Sequence, residues 1–145
     1  METSTYMTFL MKGTVGTNDT ITYSKLVDIK DNPEMEGAPE ALDITTLSDG
    51  SRRSIPGIKG DNSAKDFTCN YDEDKYDEIK ALEGTEQYLA LYLGGTESNG
   101  VVTPTGSDGK FTFKGYVSIR LASGSVNAVR DMIVSVIPST IIVKE

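Results

Sequence analysis

From residue 110 to residue 121 the sequence alternates without a break. Phe111, Phe113, Gly115, Val117, Ile119 and Leu121 fall on one face, and Lys110, Thr112, Lys114, Tyr116, Ser118 and Arg120 on the other. Successive strand side chains point to opposite faces, whereas a helix would scatter these apolar positions around its circumference. The segment reads as a long strand with one buried face, so the chain must build a sheet around it. Ser107-Asp108-Gly109 lies just before it, and Asp-Gly tolerates the positive φ of a hairpin turn, so a turn is expected there.

Other strands follow from weaker patterns. Ile21, Tyr23, Val27 and Ile29 share a face broken by Lys25. Phe67, Cys69 and Tyr71 oppose Asp66, Thr68 and Asn70, which puts Cys69 on an apolar face as a buried, inert thiol. Residues 88–93 and 132–137 are apolar on both sides, and strands of that kind are covered on both faces, by a second layer or by another subunit. Residues 6–11 and 140–143 are shorter terminal candidates. One helix is expected over 72–83, with Asp72 as N-cap and Glu73 and Asp74 in the first turn. Tyr76, Ile79 and Leu82 recur at three-residue spacing, and Gly84 ends the segment. The fold class is mainly β with one packed helix.

The chain has 145 residues, which suits a single domain, residues 1–145, and 37% of them are hydrophobic, enough for a core. Its net charge of -8 argues against gripping nucleic-acid phosphate, which takes a basic excess. Histidine is absent, which removes Ser-His-Asp and Cys-His pairs, histidine zinc sites and the commonest general base. One cysteine excludes an internal disulfide and points to a reducing compartment. No secretory leader and no membrane-spanning run are expected. Asn18-Asp19-Thr20 fits the glycosylation pattern by chance. The acidic group Asp72, Glu73, Asp74, Asp77 and Glu78 lacks the glycine of a calcium loop and reads as helix capping plus solvation. Gly57-Ile58-Lys59-Gly60 and Gly94-Gly95 lack phosphate-loop spacing and read as turns, and Arg52 and Arg53 are too isolated for a nucleic-acid footprint. No catalytic, metal or cofactor site is expected.

Residues 31–59 differ from the rest. Pro33, Gly37, Pro39, Gly50, Pro56 and Gly57 punctuate them around one strand-like run, residues 42–47, while Ile44, Leu47, Ile55 and Ile58 make them too apolar for disorder. They read as an arm or extended hairpin whose partner lies outside its own domain. Charge is uneven too: residues 28–49 hold seven acids and only Lys30 as a base, while residues 109–130 hold four bases and no acid. Either these are two solvated faces of a lone domain, or copies of the chain meet acidic arm to basic strand.

In order along the chain stand Leu26-Val27-Asp28-Ile29, Gly37-Ala38-Pro39-Glu40, Asp43-Ile44-Thr45-Thr46-Leu47, Ile55-Pro56-Gly57-Ile58-Lys59, Phe67-Thr68-Cys69-Asn70-Tyr71, Leu82-Glu83-Gly84, Gly115-Tyr116-Val117-Ser118 and Val136-Ile137-Pro138-Ser139. This string resembles the major tail tube proteins of bacteriophages with long, non-contractile tails. The resemblance implies a β-sandwich or partial barrel of two packed antiparallel sheets, a flanking helix and a long loop between early strands. It implies six-membered rings stacked into a hollow tube in the virion, assembled in the host cytoplasm. The partners would be other copies of the chain, the tape measure protein that fills the bore, and the tail terminator and distal tail proteins. DNA would pass through the bore without specific binding, helped by an acidic wall, and no membrane would be involved. The immunoglobulin-like domain some members carry is not expected here. Intersubunit contacts are then expected from Asp31, Glu34, Glu36, Glu40, Ile44, Leu47, Ile55 and Ile58 of the arm and from Lys110, Lys114 and Arg120 of the basic strand.

Two rival readings stand beside this one. A small β-sandwich module binding carbohydrate or a receptor would use the strands and tyrosines but leave the long arm unexplained. An enzyme with a carboxylate site lacks any recognisable motif.

Overall fold

The computed structural model describes residues 2, 6–35, 38–58 and 63–145. Among them the chain forms, in order, β1 (Thr8–Val15), β2 (Ile21–Val27), β3 (Ala41–Asp43), β4 (Ser54–Pro56), β5 (Lys65–Asn70), α1 (Glu73–Leu82), β6 (Glu86–Ser98), β7 (Val101–Leu121), β8 (Asp131–Pro138) and β9 (Val143–Lys144). Seven strands make one antiparallel sheet in the order β2-β1-β6-β7-β8-β5, with β9 beside β7. β3 and β4 form a separate two-stranded sheet.

The mainly β class with one helix is what the alternation requires. Of the expected sandwich or partial barrel, a sandwich of two packed sheets is not found among the described residues. β7 pairs with β6 along one edge and with β8, then β9, along the other, so the sheet is continuous where a sandwich would break. It curls instead. Strands from opposite ends of the sheet feed one core, Leu26 and Val27 from β2 and Phe67 and Cys69 from β5, together with Leu10, Leu89, Leu91, Phe113, Val117, Ile119, Met132, Val134 and Val136. The ends meet through the chain just after β2: Ile29 bridges Cys69, the Lys30 N–H donates to the Thr68 carbonyl at 2.7 Å, and Asp31 Oδ1 accepts from the Thr68 N–H at 3.0 Å. β2 itself does not pair with β5, so the barrel stays open. Alternation reveals which face of a strand is buried, not whether two strands share a sheet.

Helix α1 lies on this core through Ile79, which is fully buried, with Tyr76 and Leu82 beside it. Asp72 Oδ1 caps its start, accepting from the N–H groups of Asp74 (3.0 Å) and Lys75 (3.4 Å). At the other end Glu83 Oε1 accepts from the Ile119 N–H at 2.9 Å. β6 stops pairing at Tyr116, so this carboxylate covers a stretch of β7 that would otherwise be a bare edge. Gly84 follows at φ 87°, a left-handed turn out of the helix.

Four local expectations are corrected. Gly94-Gly95 is not a turn between elements but lies inside β6, with Gly94 at φ 97° where the register shifts. The run 42–47 is strand only as far as Asp43, where β3 ends. The chain does not turn at Ser107-Asp108-Gly109. It continues as β7, with residues 105–108 bulging opposite Gly94, and the hairpin closes at Asn99-Gly100, where φ is 53° and 81°. Both dipeptides accept positive φ; the pairing of residues 95–98 with 101–104 selects the earlier one. Nor do Ile21, Tyr23, Val27 and Ile29 share a face. A register shift places Leu10 opposite Val27 and Met11 opposite Lys25, so Leu26 is extra. Tyr23 therefore packs outward, while Leu26 and Val27 both turn into the core.

Candidate functional site

The acidic arm leaves the sheet at Asp31, whose carboxylate is tied to β5. Met35 then returns to the core and is buried there, so the root of the arm is anchored. Beyond it β3 and β4 pair as a short hairpin: Ala41 with Pro56, Leu42 with Ile55, Asp43 with Ser54. Its hydrogen bonds close on itself. The Gly57 N–H donates to the Glu40 carbonyl (2.6 Å), and the Ile44 N–H to the Arg53 carbonyl (3.0 Å). The Arg53 N–H donates to Thr45 Oγ1 (2.8 Å), the Thr45 N–H to Asp43 Oδ1 (2.8 Å), and the Thr46 N–H to Asp49 Oδ2 (2.8 Å). The Thr46 N–H, with the Arg53 guanidinium 3.4 Å away, holds the Asp49 carboxyl below the usual carboxylate range; bonds from Thr45 do the same for Asp43.

The large apolar side chains of the hairpin find no such closure. Leu42, Ile44 and Ile55 are all exposed, and Leu47 and Ile58 stand at 107% and 91% of full exposure. An isolated two-stranded sheet is marginal in water, and this one presents its large apolar groups to solvent. Glu34 and Glu40 are exposed near the root; Glu36 lies outside the described residues.

Lys110, Lys114 and Arg120 share the outer face of β7, but at about 3.3 Å per residue they are spread over about 33 Å and form no single cluster. Each is engaged within its own chain. Lys110 Nζ sits 5.2 Å from the centre of the Tyr92 ring. Lys114 Nζ is 4.7 Å from that of Tyr88 and 3.9 Å from Glu86. Arg120 donates to Asp66 Oδ2 (3.1 Å) and to Ser135 Oγ (2.5 Å), and Ser135 donates on to Asp66 Oδ1 (2.6 Å). The Ser135 hydroxyl first, then Arg120, keeps the Asp66 carboxyl below its ordinary range.

The strands that are apolar on both sides divide. β6 is covered on both faces within the chain: Leu89 and Leu91 point into the core, while Ala90 and Tyr92 join Phe9 and Met11 in a small outer cluster with Met7 and Tyr23 beside it. On β8, Met132, Val134 and Val136 point inward, whereas Ile137 is half exposed outside next to exposed Tyr116.

A shallow groove of about 950 Å³ runs between Tyr6, Met7, Phe9, Ile29, Val101 and Val102, with Lys25, Asp28, Lys30 and Asp31 on its rim. Sequence reasoning missed it, because it is assembled from β1, the segment after β2 and the β6–β7 hairpin. It also missed Met35, whose signal was one apolar residue inside an acidic stretch. Cys69 is fully buried, and burial first, then nearby Asp31, Asp28 and Asp131, pushes its thiol up to about 12. No metal-binding group of His, Cys, Asp or Glu occurs among the described residues, and no helix there is long and apolar enough to cross a membrane. Compared with known proteins, the chain matches no family model and no curated sequence.

Proposed function

We propose that this chain is a structural subunit that self-assembles, as the tail tube resemblance implies, into rings stacked as the hollow tube of a phage tail, with no catalytic role. The observation that carries the reading is the hairpin of residues 38–58, whose two strands pair only with each other and which leaves Leu42, Ile44, Leu47, Ile55 and Ile58 exposed to solvent. Several exposed large apolar side chains on one short hairpin mark an interaction site. The anchored root and short hairpin suit an arm reaching a neighbouring copy. In the virion its partners would be identical subunits, the tape measure protein and the terminator and distal tail proteins, with DNA passing through.

The test is electron microscopy and sedimentation of the concentrated protein, with and without a nucleating tail-tip complex, beside a variant in which residues 38–58 are replaced by a short Gly-Ser linker. Rings or tubes from the intact chain, and a folded monomer from the variant, support the reading. An intact chain that stays monomeric under both conditions overturns it. The groove beside Tyr6 and Phe9 favours a second reading, a small-ligand binding module. Saturable binding by a protein that never associates would establish that one.

A further inference from the structure

We propose that Asn99–Gly100 is a spontaneous modification site, where the asparagine side-chain amide is lost through a cyclic imide. In the first step the Gly100 backbone nitrogen forms a bond to Asn99 Cγ. The Cγ–Nδ2 bond breaks, and ammonia leaves carrying the proton that the backbone nitrogen gives up. Water then opens the imide at one of its two carbonyls, leaving either an aspartyl or an isoaspartyl linkage. Water is the only co-reactant.

The site is set by three features. Both residues are exposed at the tip of the β6–β7 hairpin, with φ of 53° and 81°. The residue that supplies the nitrogen carries no side chain, and a Cβ built on Gly100 would meet nothing within 4 Å, so the approach is open. The turn also closes a two-stranded ribbon, residues 95–98 against 101–104, that runs past the bulge opposite Gly94, and ribbon ends open at low free-energy cost. That opening matters, because the attack needs rotation about the bonds of Asn99 that the closed turn restrains.

The other described asparagines are worse placed. Asn32 precedes Pro33, whose nitrogen has no proton to lose. Asn70 precedes Tyr71, whose N–H is held by the Arg130 carbonyl at 3.0 Å. Asn18 and Asn127 precede Asp19 and Ala128, both with side chains in the way. Asp49–Gly50 shares the sequence logic, but its carboxylate is bound by Thr46 and Arg53 in its ionised, weakly electrophilic form. Conversion at Asn99 adds a carboxylate close to Glu97, which already accepts a bond from the Tyr6 hydroxyl at 3.0 Å. The isoaspartyl form also adds a methylene to a turn of two residues.

The test stores the folded full-length chain at mildly alkaline pH and follows it by isoelectric focusing, enzymatic methylation of isoaspartyl groups and peptide mapping. An Asn99→Gln variant, checked for native circular dichroism, runs alongside, because its longer side chain closes the ring far more slowly. A more acidic form should accumulate, its methyl-accepting site should map to the peptide containing residues 99 and 100, and the variant should lose that signal. A stored chain that gains no acidic form, a signal that maps elsewhere, or one that persists undiminished in Asn99→Gln overturns the proposal. None of these outcomes depends on self-assembly.

Discussion

Ile79 is fully buried beneath the sheet while Lys75 and Glu78, on the same helix, pair with each other in solvent at 3.4 Å. That contrast makes Ile79 the residue through which α1 is held. Ile79→Ala should cost about 2–5 kcal/mol, the range for emptying a buried aliphatic site, and a urea unfolding curve would measure it. Asp72→Ala removes the cap and should cost about 0.5–2 kcal/mol in the same assay. Cys69 gives a different readout. Its thiol is buried and its pKa is raised to about 12, so almost no thiolate exists at neutral pH. A thiol reagent should leave the native chain unlabelled and label it at once in denaturant. All three residues were legible in the sequence, because an apolar repeat, a capping aspartate and an alternating strand are local signals.

At the scale of elements, the hairpin of β3 and β4 separates stability from association. Ile55 and Ile58 are exposed, so Ile55→Asp and Ile58→Asp should change monomer stability by less than about 0.5 kcal/mol while abolishing assembly in sedimentation. Met35→Asp should instead unfold the chain, because Met35 lies in the core. If Ile55→Asp unfolds the monomer, the hairpin belongs to the core and the assembly reading fails. Element type was readable for α1 and for most strands of the large sheet, whereas residues 44–47 are not strand and Gly94-Gly95 lies inside β6. Boundaries and turns were less so. Asp108-Gly109 and Asn99-Gly100 are equally good turn formers in isolation, and only the pairing of β6 with β7 makes one a turn and the other part of a bulged strand. The face of β2 was misread for the same reason, since one extra residue opposite β1 reverses every side chain after it.

The molecule as a whole is held at several joints by carboxylates whose pKa values are lowered. Glu83 joins α1 to β7 and Asp66 joins β5 to β7 and β8, while Asp43 and Asp49 brace the hairpin. A carboxyl with a lower pKa folded than unfolded binds fewer protons folded, so its contribution is complete above the ordinary carboxylate range and is lost as pH falls through and below it. Stability should therefore be flat near neutrality and decline on acidification below about pH 4, as thermal melts across that range would show. Glu83→Gln should make the decline shallower. The sequence by itself determined that this chain is a β protein with one capped helix, one buried thiol and an apolar arm, since each of these is written in near neighbours along the chain. Only the tertiary structure decided that seven of the strands form one curled sheet, with β3 and β4 paired apart from it. Only it decided that Met35 anchors the arm, and that Lys110, Lys114 and Arg120 are satisfied by Tyr92, Tyr88 and Asp66. Those outcomes depend on pairings between residues far apart in sequence, which alternation along a single strand does not encode.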